Sequence, residues 1–123
     1  MPAVNDDSTT AVHQNATSVK RLQLIWTSDS GDGSVDYNTA IVDGLVYRVT
    51  TIPSGTSAPT NLYDLYLKDA QGYDILAAAG ENRSSTVVQA VTPDPPLAVS
   101  GVLSLDIDAA GNDKSGIVEI YYR

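Results

Sequence analysis

The sequence predicts an all-β fold, a single antiparallel β-sandwich or Greek-key barrel with an extended N-terminal arm, and three observations predict it. Short segments of alternating apolar and polar residues recur along the chain, with the period of two that a half-buried strand requires. Clusters rich in Asp, Gly, Asn and Pro separate them, supplying turn geometry at each break. No segment carries the apolar spacing of a long helix, so about seven or eight short strands in one two-layered domain are expected.

Residues 1–18 are polar and without periodicity, and Asn5-Asp6-Asp7-Ser8-Thr9-Thr10 offers too little apolar surface to offset its ordering entropy. This stretch reads as an arm, and residues 19–123 as the β domain. Leu22, Leu24 and Trp26 alternate with Gln23, Ile25 and Thr27 in a first strand, which residues 28–34 break with Asp and Gly. Residues 40–42 and 45–52 flank Asp43-Gly44, a strong hairpin signal, with Tyr47 on the apolar side of its strand. After the loop 53–59, Tyr63, Leu65 and Leu67 alternate with Asp64, Tyr66 and Lys68. Asp69-Ala70-Gln71-Gly72 then turns the chain into a short strand over 73–76, and Ala77-Ala78-Ala79 could begin one helical turn before Gly80. Residues 86–91 read as a further strand, followed by the stiff linker Thr92-Pro93-Asp94-Pro95-Pro96. Residues 102–123 read as a terminal hairpin. In it Leu103, Leu105 and Ile107 share one face, Val118, Ile120 and Tyr122 alternate with Glu119 and Tyr121, and the turn lies over 109–116.

The 123 residues suit one domain with a core that needs no staples. The absence of cysteine excludes disulfides, thiolate metal sites and cysteine nucleophiles. Fifteen acidic residues against seven basic ones give a net charge of −8, which repels phosphate backbones and argues against direct nucleic-acid binding. No apolar run reaches the roughly 18 residues of a membrane span, and the N-terminus lacks the basic and apolar regions of a signal peptide. The sequence therefore reads as a soluble, unprocessed chain with no membrane partner.

Residues that carry chemistry are few. His13, the sole histidine, falls in the arm, where nothing would fix its tautomer, and the two glutamates, Glu81 and Glu119, form no acid/base pair with spacing to support it. No catalytic, cofactor-binding or metal-ligating residue is assigned, and no enzymatic activity is expected. The loop Asp29-Ser30-Gly31-Asp32-Gly33-Ser34-Val35-Asp36 is the best calcium candidate, but Gly31 and Gly33 occupy positions where a calcium loop places ligands, so an exposed turn is the reading adopted. Asn15-Ala16-Thr17 and Asn82-Arg83-Ser84 match the glycosylation pattern by chance. Tyr63, Tyr66, Tyr73, Tyr121 and Tyr122 fall on both faces of their strands, so some must be exposed or covered by a partner. A planar row of aromatics for carbohydrate binding would need Tyr121 beside Tyr66 or Trp26, whereas Trp26 and Tyr47 read as core. Alternation assigns Tyr122 to the core and turns Tyr121 with Arg123 towards solvent or a subunit neighbour; both are residue types that recur as interface anchors, so this edge is expected to help make a homo-oligomer.

The order Ile25-Trp26-Thr27-Ser28-Asp29, Gly44-Leu45-Val46-Tyr47-Arg48-Val49 and Pro59-Thr60-Asn61-Leu62-Tyr63-Asp64-Leu65 resembles small β-rich structural proteins encoded in the virion modules of tailed bacteriophages. The likeness continues through Asp69-Ala70-Gln71-Gly72-Tyr73-Asp74-Ile75-Leu76, Gly80-Glu81-Asn82-Arg83 and the closing Gly111-Asn112-Asp113-Lys114-Ser115-Gly116-Ile117-Val118-Glu119-Ile120-Tyr121-Tyr122-Arg123. The resemblance implies a non-enzymatic virion component, a capsid decoration or cement protein bound to the major capsid protein on the capsid exterior. It also implies a β-rich, often trimeric protein whose N-terminal arm reaches its neighbours. A head-tail connector or tail component and a carbohydrate-binding, adhesin-like module are the alternatives.

Overall fold

A computed structural model describes residues 7–14 and 18–123. Among these it contains no helix and nine strands: β1 (Ser8–Gln14), β2 (Lys20–Thr27), β3 (Val35–Ile41), β4 (Gly44–Pro53), β5 (Asp64–Lys68), β6 (Gln89–Val91), β7 (Leu97–Val99), β8 (Val102–Asp108) and β9 (Ser115–Tyr122). They form two antiparallel sheets packed face to face, an all-β sandwich. The larger sheet has the order β1-β2-β9-β4-β6, with β7 also paired to β4, and the smaller has the order β3-β8-β5.

The core is built from the inward residues of both sheets. Leu22, Leu24 and Trp26 of β2, Val46 and Val49 of β4, and Val118, Ile120 and Tyr122 of β9 face Val35, Leu65, Leu67, Leu103, Leu105 and Ile107 of the smaller sheet. These are the inward positions that alternation assigns in β2, β5, β8 and β9. Tyr122 is buried at 8% exposure, as its place in the alternation requires.

Six expectations are corrected. Part of the predicted arm, Ser8–Gln14, is an edge strand paired with β2 from Ser8↔Thr27 to Gln14↔Arg21. Its inward positions are Thr9 and Ala11, small residues that give no apolar signal; residues 1–6 of the arm, and Asn15-Ala16-Thr17, lie outside the described residues. Asp43-Gly44 is not a hairpin turn: β3 belongs to the smaller sheet and β4 to the larger, and the Asp43 carboxylate accepts the Gly101 N–H at 2.9 Å while Val42 N–H bonds the Gly101 carbonyl at 2.8 Å. The chain there crosses between layers beside the β7–β8 connection.

The terminal hairpin is likewise absent. β8 is flanked on its two sides by β3 and β5, and β9 by β2 and β4, so each is the hydrogen-bonded centre of its own sheet and neither has a free edge for the other. The connection 109–114 arches over one end of the sandwich, where Ser28 Oγ donates to the Gly111 carbonyl at 2.6 Å and accepts the Lys114 N–H at 2.8 Å. The strand expected over 73–76 shrinks to a single antiparallel bridge, Lys68↔Asp74, followed by a capped turn. Asp74 accepts the N–H groups of Leu67, Leu76 and Ala78, so one carboxylate occupies a donor on the β5 edge that a neighbouring strand would have used. Ala77 and Ala78 take φ of 49° and 70°, and no helical turn follows. Finally, the strand expected over 86–91 shortens to Gln89–Val91, because Ser84 Oγ accepts the N–H groups of Thr86 and Val87 and holds that stretch as a turn.

Candidate functional site

The outer face of the larger sheet is the candidate site. Register fixes what shares this face: Arg21, Gln23 and Ile25 of β2 lie beside Tyr121, Glu119 and Ile117 of β9, which lie beside Arg48, Thr50 and Ile52 of β4. Three rows result, one apolar (Ile25, Ile117, Ile52), one polar (Gln23, Glu119, Thr50) and one cationic and aromatic (Arg21, Tyr121, Arg48).

Glu119 sits in the middle with only 8% of its surface exposed. Its Oε2 accepts the Gln23 amide at 3.0 Å and lies 3.5 Å from the Arg21 guanidinium, and its Oε1 accepts the Tyr121 hydroxyl at 3.2 Å. A carboxylate this enclosed requires such partners. The pairing holds the Tyr121 ring in place, and the Arg48 guanidinium carbon stands 4.2 Å above the ring centroid, a cation–π contact.

A bulge in β4 makes this arrangement. The pairing with β9 shifts by one residue between Val46↔Tyr122 and Arg48↔Tyr121, so Tyr47 is the extra residue. Val46 and Val49 can then both face the core, three positions apart, while Arg48 faces out. Simple alternation would group Leu45, Tyr47 and Val49. Tyr47 is consequently half-buried rather than a core residue.

Three shallow grooves lie on this face. One of about 180 Å³ is lined by Ile25, Ile52, Pro53, Ser54, Ser115, Gly116 and Ile117. A second of about 320 Å³ runs along Arg48, Thr50, Ile52 and Glu119 to the 88–90 stretch. A third of about 470 Å³ is bounded by Val19, Tyr47, Arg48, Thr92 and Tyr121. It opens where β6 and β7, which pair with Val49–Thr51 and Gly44–Val46 of β4, leave Tyr47 and Arg48 without a strand neighbour on that side.

Of the two residues assigned to an interface from sequence, Tyr121 lines the third groove, and Arg123 is exposed at the same end of the sheet, its backbone paired with Leu45 at 2.9 Å in both directions. Sequence reasoning missed Arg48 and Glu119 as parts of this site. Glu119 was legible as an outward residue between Ile117 and Tyr121, but Arg48 becomes a neighbour of Tyr121 only through the strand order and the bulge.

The outer face of the smaller sheet differs in charge. Asp36 of β3, Asp106 and Asp108 of β8, and Asp64 of β5 lie on it, with Lys68 paired to Asp106 at 3.0 Å. Burial, joined by repulsion from Asp106, Asp64 and Asp32 against the attraction of Lys68, pushes the Asp108 carboxyl above the usual range. The aromatic row that carbohydrate binding would need is not formed, since Tyr66 lies on this face, Tyr121 on the opposite one, and Trp26 in the core.

The Asp29 loop uses its carboxylates internally. Asp29 is 1% exposed and its Oδ2 accepts the N–H groups of Gly31 and Asp32 at 3.2 and 3.1 Å. Asp32 accepts both the hydroxyl and the N–H of Ser34, which holds its carboxyl below the ordinary value. Among the described residues no three His, Asp or Glu side chains are placed to share a metal ion. His13 is exposed on β1, opposite Leu22. No protein-family model matches the chain, and no curated protein matches it in sequence.

Proposed function

We propose that this chain is a non-enzymatic virion structural protein, a capsid decoration (cement) protein of the tailed-phage type that binds the major capsid protein on the exterior of the shell. The observation that carries the reading is the uncovered outer face of the larger sheet. It presents Ile25 at 42% exposure, the Tyr121–Arg48 stack and three shallow grooves, a surface suited to lying against another protein. The likeness of the sequence to tailed-phage virion proteins supplies the assembly in which such a face would be used. On this reading the chain forms a homo-oligomer, a trimer in its leading form, with Arg123 at the end of β9 contributing to contacts between copies and Tyr121 left to the contact with the shell.

Counting copies in purified virions tests the reading. Hundreds of copies per particle are expected. A ring number of six or twelve would move the protein to the neck or tail, and absence from the particle would sink the proposal. In light scattering, Arg123→Ala should weaken self-association while leaving the melting midpoint in place. A wild-type protein that stays monomeric both at high concentration and on the shell would end the oligomer claim.

A further inference from the structure

The third groove carries a more specific inference, which rests on the reading of this chain as a protein that docks onto another. Arg48 is exposed, and its guanidinium is stacked on Tyr121 at 4.2 Å. Among the described residues it has no carboxylate within ion-pair distance and no hydrogen-bond acceptor; the ion pairs found there are Arg21–Glu119 and Lys68–Asp106. Stacking leaves the edge of the guanidinium free, and that planar edge matches a carboxylate in a two-bonded fork. The groove is also preorganised, because the Tyr121 hydroxyl is anchored on Glu119, which Gln23 and Arg21 hold in turn.

The surroundings say what kind of carboxylate fits. Val19 and the rings of Tyr47 and Tyr121 give the groove apolar walls, so its occupant brings apolar side chains beside its acid. Four of the seven cationic residues, Lys20, Arg21, Arg48 and Arg123, gather at this end of the sheet in a chain of net charge −8. A polyphosphate strand would meet that overall negative field, whereas a protein segment with one or two acids need only meet the local positive one. A second copy's acidic sheet is a poor occupant. It lies on the opposite side of the sandwich, and such a head-to-tail contact would propagate into open stacks.

We propose that the groove between Tyr47, Arg48, Thr92 and Tyr121 docks an extended acidic segment of a different protein, with Arg48 pairing to a Glu or Asp carboxylate and the tyrosine rings packing the flanking apolar side chains.

Fluorescence anisotropy with a labelled peptide of alternating Glu and Val, and a matched Gln and Val peptide, tests this directly. The acidic peptide should bind and weaken with added salt, and the neutral one should not. Arg48→Ala should weaken binding by roughly tenfold or more, the loss expected for one charge-assisted fork. Arg48→Lys should recover only part of it, and Lys114→Ala, in the connection that precedes β9 at the other end of the sheet, should change nothing. Melting midpoints of all variants should match the wild type. Equal binding of the two peptides, no binding into the millimolar range, or full affinity in Arg48→Ala would overturn the inference, as would full recovery by lysine. Preference for a single-stranded oligonucleotide, or concentration-dependent self-association lost in Arg48→Ala, would assign the groove to another occupant and also overturn it. Purified shells separate this from the parent reading: shells bound equally by wild type and Arg48→Ala remove the groove's role alone, and a wild type that binds the peptide but not the shell removes the capsid reading alone.

Discussion

Trp26 lies fully buried on β2, its ring tilted at 53° to that of Tyr63 with centroids 5.8 Å apart, so the two rings link the larger sheet to the segment entering β5. Trp26→Ala should remove this link and leave a cavity, costing about 3–5 kcal/mol in chemical denaturation; an unchanged midpoint would place the indole outside the core. Tyrosine titration supplies a second check. Tyr66 donates to the Glu81 carboxylate at 2.7 Å, and this bond, with burial and the charges of Asp64, Glu81 and Asp108 behind it, pushes the phenol up to about 12. Burial raises Tyr63 as well, opposed by the Thr51 hydroxyl and the Arg83 charge. Because the folded value of Tyr66 lies above its ordinary 10.0, the stabilisation from the Tyr66–Glu81 bond is complete below that pH and is lost as pH rises towards 12. An ultraviolet difference titration should therefore show late-ionising tyrosines, and Tyr66→Phe should remove one late step and flatten the alkaline loss of stability.

At the scale of strands, close approach matters as much as pattern. Gly116 of β9 pairs with Trp26, and a methyl group there would meet Trp26 Cζ2 at 2.8 Å and the Ile52 carbonyl oxygen at 3.1 Å. Gly116→Ala should consequently cost about 1–3 kcal/mol by overpacking, seen as a lower thermal midpoint with the fold retained. A neutral result would mean that β9 can shift away from β2. Gly44, where the chain enters β4, has φ of 140° and would drive an added Cβ into the Arg123 carbonyl oxygen, so the start of β4 and the C-terminal residue constrain each other. The β4 bulge has the widest effect of any local feature, since one extra residue returns Val46 and Val49 to the core together and aims Arg48 at Tyr121.

Across the whole molecule the two exposed faces are chemically opposed, one apolar and cationic, the other acidic with Asp36, Asp64, Asp106 and Asp108. The edge strand β1 tests how the larger sheet is closed. Of the side chains on its inward side only Thr9 and Ala11 are covered, His13 being exposed, so deleting residues 1–14 should lower the melting midpoint yet preserve a cooperative transition, with β2 becoming the new edge. A deletion that abolishes the cooperative transition would make β1 essential to the sandwich, and one that leaves the midpoint untouched would make it a dispensable arm.

What the sequence by itself determined was the local half of the fold. Period-two alternation placed β2, β5, β8 and β9 and their inward residues correctly, down to Tyr122, because a strand's two faces are set by its own pleat. Pairing between strands followed no such local rule. Asp43-Gly44 looks like a hairpin turn and residues 109–116 like another, yet both connections carry the chain from one sheet to the other: β3 pairs with β8 while both sides of β4 are taken by β9 and by β6 with β7, and β8 and β9 are each hydrogen-bonded on both sides by strands distant in sequence. The same reason hid most of the candidate site. Tyr121 could be read as outward-facing, but its neighbours Arg48, Arg21 and Glu119 meet on one surface only after strand order and the β4 bulge have fixed the register, and those are properties of the packed sheets.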